Sequence, residues 1–405
     1  MKQIGSRSML GAMFGACLLA SASHAQEAEI MHWWASETDA AAVAKFAEAY
    51  KAAGGTWVDI ATASSQSSLQ ATVTRILAGS PPDAAQFNTS TQFYDLVDGG
   101  KLNSLESEAR AGKWREIIPG PLLDVAVREG QLYALPVSMS GVNIAFYNKK
   151  MLADAGIAEE PADWTDLLAA MRKVKASGKV PLALAGGVYP SLLFYSIMAD
   201  HLGNESYTRM LIDRDPEVDA EGLRKTFETF SEIRDYVDAG WSGRKWNEAS
   251  RMLAKGEAAF QVAGDWAKAE FALNSMMVGK DFGCVLPKGT VIVGGDVIVF
   301  PKKGDVPTPA QEKLIQIFAD EKAQTAFNKL KGSLPARVDV NAGDFDACAQ
   351  RVLAAAADKG SRLPRPRMIV PSDIEGDLGD FINEYFASQM SADEGVERFS
   401  ELLQQ

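Results

Sequence analysis

The sequence predicts an α/β protein of two lobes, each a sheet covered by helices. Three observations predict it. The chain opens with strand and helix patterns in alternation, becomes mainly helical from Pro161, and returns to a strand pattern over 291–300. At 405 residues it is also longer than one hydrophobic core usually organises.

The first 25 residues stand apart from that fold. Lys2 and Arg7 make a basic start, residues 9–22 are mostly apolar or small, and Ser23-His24-Ala25 offers small residues where a signal peptidase reads. This is the three-part layout of a secretory leader, with cleavage expected after Ala25. The other readings are an uncleaved anchor, for which the apolar run falls short of the roughly 20 residues of a span, and lipid attachment at Cys17, in a poor sequence context. Removing Lys2 and Arg7 takes the net charge from −12 to about −14. A chain this acidic is ill suited to nucleic acid or anionic lipid. The expected product is an exported, soluble protein, in the periplasm or outside the cell.

The alternation justifies itself element by element. Residues 30–34 read as a strand, and Val43, Phe46, Ala47 and Tyr50 then make one apolar helix face. Gly54-Gly55 ends that helix before a strand over 56–60. Leu69, Val73, Ile76 and Leu77 mark a second helix, stopped by Gly79 and Pro81-Pro82, and 84–88 is a third strand. Such a series implies a largely parallel sheet, whose ligands sit beyond the carboxyl ends of its strands. Trp33-Trp34 and Gln86-Phe87-Asn88 fall at two such ends. Further on, helices are expected over 163–175, 221–239, 247–260 and 308–330, and the last 65 residues read as mostly helical. Cys284 and Cys348 remain after the leader, as one disulfide or as two separately buried thiols. With only His32 and His201 beside them, neither a metal site nor a cofactor is expected.

Several segments together resemble a known family. They are His32-Trp33-Trp34, residues 82–88, Tyr133-Ala134-Leu135-Pro136, Tyr147-Asn148-Lys149-Lys150, Trp246, residues 255–259, Gly264-Asp265-Trp266, Gly295-Asp296 and residues 331–335. In this order and spacing the chain is similar to the extracellular sugar-binding proteins of ABC importers, family 1, and most of all to glucose/mannose-binding members. The resemblance implies a two-lobed, Venus-flytrap (type 2) periplasmic-binding-protein fold with crossing hinge strands. Residues 26–136 and 288–335 would form the N-terminal lobe, and 137–287 and 336–405 the C-terminal lobe. The implied partners are a small sugar and the membrane subunits of the importer, with no membrane contact except through them, and the implied state is a monomer.

A sugar offers C–H patches to flat aromatic faces and hydroxyls to paired donors and acceptors. Trp33, Trp34, Trp246 and Trp266 are candidate plates, with core packing as their other reading. Glu37, at a helix start, is a candidate acceptor or a solvated carboxylate favoured by the helix dipole. Gln86 and Asn88 share one side of their strand and suit hydroxyls. Asp265 reads as an acceptor or a helix cap. By resemblance, Asp296 binds hydroxyls and Lys331 donates to the sugar, the other reading of Lys331 being a cation favoured at a helix C-terminus. One departure stands out: glucose-binding members carry a histidine near the C-terminus, whereas here that stretch reads Arg365-Pro366-Arg367-Met368, and no histidine follows His201. Arg367 is the candidate there, and it leaves an acidic or substituted sugar open.

Other classes are less supported. The chain has no Walker A sequence, no Gly-x-Ser-x-Gly elbow and no His-Glu-x-x-His. A glycosidase needs only two placed carboxylates, and a sensor presenting ligand to a receptor would share every feature above.

Overall fold

A computed structural model describes residues 26–337 and 339–405. The expected leader, with its cleavage point and Cys17, lies outside the described residues.

β1 (Gln26–His32) pairs in parallel with both β2 (Gly55–Ala61) and β3 (Ala84–Asn88). Between β1 and β2, α1 (Glu37–Ala52) buries Val43, Phe46 and Tyr50 along one stripe. Phe46 meets Phe318 and Phe327, each at 4.7 Å between ring centroids. α2 (Ser65–Leu77) turns Ser68, Thr72 and Ile76 inward and leaves Leu77 63% exposed. Leu77 lies about 100° round the helix from Ile76, so the two do not share the buried face expected of them. Two antiparallel strands, Asp296–Val299 and Ala134–Pro136, complete this first sheet beyond β3.

The second lobe centres on a sheet with the spatial order Phe282–Val285, Ile144–Asn148, Ala258–Ala263 and Val180–Leu182. Here the sequence reading needs correction. The helix expected over 247–260 is Trp246–Ala254, and Ala258–Ala263 is a strand between two partners with all six residues buried. A short apolar run buried on both faces has no alternation to set it apart from a helix. The helix expected over 308–330 is two, Pro309–Ala319 and Glu321–Lys331. Asp320 ends the first and caps the second, accepting from the Ala323 N–H at 2.8 Å.

The strand expected over 291–300 also divides. Val291–Gly294 pairs with Ser140–Gly141 and, in parallel, with Arg362–Pro364, whereas Asp296–Val299 belongs to the first sheet. The change of sheet falls at Gly295, further along the chain than Pro287, where the return had been expected. A Cβ on Gly295 would stand 2.0 Å from the Ser138 carbonyl oxygen, so only glycine lets these segments pass so closely.

Three segments run side by side between the lobes. The Val137 N–H donates to the Asp296 carbonyl at 3.0 Å, and Met139 and Leu334 exchange backbone hydrogen bonds of 2.7 and 2.9 Å. Asn328 and Gln324, on helix Glu321–Lys331, hold the Val137 and Pro136 carbonyls at 2.9 and 3.2 Å. Within the second lobe, a disulfide between Cys284 and Cys348 joins strand Phe282–Val285 to helix Ala347–Ala357. Among the described residues no helix is long and apolar enough to cross a membrane, and no three His, Cys, Asp or Glu are grouped to hold a metal ion.

Candidate functional site

Asp296 opens its strand immediately after the Gly295 crossing, and its buried carboxylate gathers groups from three other segments. The Gln86 amide donates to Oδ1 at 2.9 Å, the Ser138 hydroxyl donates to Oδ2 at 2.9 Å, and the Lys331 ammonium lies 3.3 Å from Oδ2. Gln86 in turn accepts from the Trp33 backbone N–H at 3.0 Å, which fixes the chain as it leaves β1. Burial alone would lower the Lys331 ammonium, but the carboxylates of Asp296, Asp39 and Asp265 outweigh it and hold the group above its ordinary value. The same ammonium lies 5.5 Å from the centre of the Trp266 ring, a cation–π distance.

Trp266 comes from the second lobe, just past strand Ala258–Ala263. Its Nε1 donates to the Tyr189 hydroxyl at 3.1 Å, and its ring is half-buried. A left-handed turn at Gly332 (φ +85°) seats the end of helix Glu321–Lys331 directly on this segment. A Cβ on Gly332 would lie 2.8 Å from the Asp265 carbonyl oxygen. Asp265 itself is fully buried. Its Oδ2 accepts from the Gly141 N–H at 3.3 Å, the Ser140 hydroxyl also acts on the carboxylate, and Oδ1 has no hydrogen-bond partner among the described residues. Burial pushes its carboxyl up to about 6, against the opposing pull of Lys268 and Lys331.

The first lobe supplies a carboxylate that the sequence reading missed. Glu37, the expected acceptor, is exposed, whereas Asp39, two residues on, is turned inward. The Ser36 hydroxyl donates to Asp39 Oδ2 at 2.8 Å and caps the start of α1 by accepting from the Asp39 N–H at 3.1 Å. Burial raises the Asp39 carboxyl, opposed first by Lys331. A Ser with an acid three residues on reads as a helix-capping pattern, which concealed a second use for the acid. Across the junction, Glu270 is fully buried; its Oε2 pairs with Arg251 at 3.3 Å, its Oε1 has no partner among the described residues, and Asp39 and Glu37 act on it electrostatically.

Of the other expected residues, Asn88 sits opposite Asp296 in the strand register and is half-buried. Trp33 is half-buried at the exit of β1. Trp34 is apart from the cluster: at 2% exposed it packs edge-on to Phe327, 4.8 Å between centroids, inside the first lobe. The alternation of side chains after β1 sends one indole each way. The intervening turn is set by buried His32, whose Nδ1 accepts from the Trp34 N–H at 3.2 Å, so that Nε2–H donates to Asp59 at 2.6 Å. Trp246 opens the helix that packs on Ala267–Leu273 and is half-exposed. Arg367 donates to Glu375 at 3.3 Å, which leaves Arg365 as the arginine beside Gly294, its Cδ 3.4 Å from where a Cβ there would stand. Tyr189 and Ser138 had no distinguishing signal in the sequence.

The arrangement brings an indole face, fixed carboxylate acceptors and one ammonium donor to the line where the two lobes meet. Both oxygens of Asp296 are engaged and held fixed, while among the described residues one oxygen each of Asp265 and Glu270 has no hydrogen-bond partner.

Comparison with known proteins gives three kinds of likeness. A family profile described as bacterial extracellular solute-binding protein matches residues 41–351. A Brucella melitensis protein named as a probable sugar-binding periplasmic protein is 32% identical over 393 residues, 94% of this chain and 93% of that one. A xylose/arabinose-binding protein of Haloferax volcanii is 26% identical over 333 residues, 78% of this chain and 71% of the other. A solved chitin oligosaccharide binding protein shares the fold with a TM-score of 0.79 at 18% identity, over 94% of this chain and 98% of that chain.

Proposed function

The chain belongs to the bacterial extracellular solute-binding protein family, and from that premise we propose that it is the periplasmic sugar-receiving component of an ABC importer, binding one glucose- or mannose-like monosaccharide between its lobes without turnover. The observation that carries this reading is the Asp265 carboxylate. A buried acceptor oxygen without a donor is costly; this one has none among the described residues, belongs to the residue before Trp266, and feels the Lys331 ammonium that pairs with Asp296. A pyranose hydroxyl supplies the missing donor while the ring's C–H face covers Trp266. The names of the Brucella and Haloferax relatives point to the same chemistry.

In this reading Asp39, Asp265, Asp296 and Lys331 hold hydroxyls, Gln86 and Asn88 complete the polar wall, and Trp33, Trp246 and Trp266 are the plates. The first lobe is then 26–136 with 295–335, and the second 137–294 with 336–405. The lobes swing about the three crossing segments, ligand favours the closed form because both lobes touch it, and the closed monomer docks on the importer's membrane subunits.

Trp266→Ala tests the reading. Calorimetric titration is expected to show a loss of roughly thirtyfold or more in sugar affinity, with the far-ultraviolet circular dichroism unchanged. Undiminished affinity in a folded variant refutes the site. Incubation with mono- and oligosaccharides is expected to give no products, and turnover would make the protein an enzyme.

A further inference from the structure

Among the described residues Arg365 is a cation without a hydrogen-bonded or ion-paired partner, at the edge of this site. It follows strand Arg362–Pro364, which runs parallel to Val291–Gly294, and its N–H donates to the Val293 carbonyl at 3.1 Å. It therefore emerges at the carboxyl end of a parallel pair, beside the Gly294–Gly295 crossing that leads into Asp296. Its Cδ stands 3.4 Å from the position a Cβ on Gly294 would take, with Val142 at 3.6 Å and Thr89 Oγ1 at 3.8 Å from that point.

Among the described residues the guanidinium makes no hydrogen bond and no ion pair. Glu375, the carboxylate that acts on it, is engaged by Arg367. Tyr189 is coupled electrostatically to both Arg365 and Asp39, and its hydroxyl holds the Trp266 indole. The arginine thus acts on the tyrosine that holds the plate, as Asp39 does. Burial, then the neighbouring Arg367, pulls Arg365 down to about 9 against the opposing pull of Glu375, so the surroundings resist a charge that no hydrogen bond or ion pair among the described residues offsets. Five N–H donors in a planar fork with no acceptor match one ligand group above others, a carboxylate.

We propose that the sugar is a hexuronate, a pyranose whose C6 is a carboxylate, and that Arg365 receives that carboxylate while the Trp266 and Asp296 side of the site holds the ring. The inference rests on the pyranose reading above and adds the charge of its substrate. A single negative charge suits a cleft that also contains Asp39, Asp265 and Asp296, whose carboxylates repel the two charges of a phosphate ester.

Calorimetric titration of the purified chain with D-glucuronate, D-mannuronate, D-galacturonate, D-glucose, D-mannose, D-galactose and D-glucose 6-phosphate tests it. A uronate is expected to bind at least about tenfold more tightly than its parent aldose. In Arg365→Gln that preference is expected to fall by roughly thirtyfold, and in Arg365→Lys by less, because the charge stays but the fork is lost. Thermal melts establish that both variants fold. Equal or tighter binding of the aldose or the phosphate ester overturns the proposal, as does a uronate preference that survives in Arg365→Gln. These outcomes leave the pyranose reading intact if Trp266→Ala abolishes binding of the aldose. If neither uronates nor aldoses bind the wild-type chain, the pyranose reading fails and this proposal with it.

Discussion

With Asp265 fully buried and its carboxyl raised to about 6, the ligand-free protein at neutral pH holds a charge where its surroundings resist one. The unfolded value is about 3.9. Below it both states are protonated and the residue costs nothing; above the folded value both are ionised and the full cost applies. Its effect is therefore a loss of stability as pH rises from about 4 to about 6, amounting to roughly 3 kcal/mol at pH 7. Asp265→Asn removes the charge and keeps an acceptor for the Gly141 N–H. It is expected to raise the Tm of the ligand-free protein at pH 7 by a few degrees, to change it little at pH 4, and to weaken sugar binding. Melting curves across that range check it, and a pH-independent offset would contradict the burial argument. Such an exchange of stability for binding is common at functional sites.

Among the elements, helix Ala347–Ala357 and strand Phe282–Val285 are joined by a disulfide spanning 64 residues of chain. Closing a loop of that length stabilises by about 2–4 kcal/mol, mainly through the unfolded state. Paired Cys284→Ser and Cys348→Ser substitutions should lower the Tm in nonreducing buffer, and dithiothreitol should do the same to the wild type. Both ends of the bridge lie in the second lobe, so sugar affinity measured alongside should stay within about threefold. A large loss of affinity would mean that the bridge also shapes the cleft. The crossing segments are organised differently, by backbone pairing between 137–139, 294–296 and 332–335 and by the amides of Gln324 and Asn328. Backbone pairs of this kind allow small rotations about a fixed axis, as a hinge requires.

For the whole molecule, a ligand that touches both lobes couples closure to stability. At a sugar concentration about 100 times Kd, stabilisation should reach about 2.7 kcal/mol, seen as a rise in Tm that grows with concentration. Small-angle scattering should show a smaller radius of gyration in the presence of the same sugar. Binding and stabilisation without that compaction would mean lobes that do not move.

Much of the architecture was legible because its signals are local. The periodicity of Val43, Phe46 and Tyr50 and the glycine and proline stops around the first three strands follow from backbone geometry that neighbouring residues dictate, and the alternation they produce implies a helix-covered sheet. The same reasoning failed at Ala258–Ala263, where burial on both faces erases the pattern that distinguishes strand from helix, and at Gly295, where one apolar run serves two sheets. In the candidate site, Gln86, Asp265, Trp266, Asp296 and Lys331 were named from the sequence and are brought together by the fold. The inward turn of Asp39, the removal of Trp34 to the core, and the pairing of Arg367 with Glu375 that leaves Arg365 free were decided by the tertiary structure alone. A side chain's neighbours across a cleft come from segments as much as 210 positions apart, as with Gln86 and Asp296, and only packing selects which of two adjacent residues faces them.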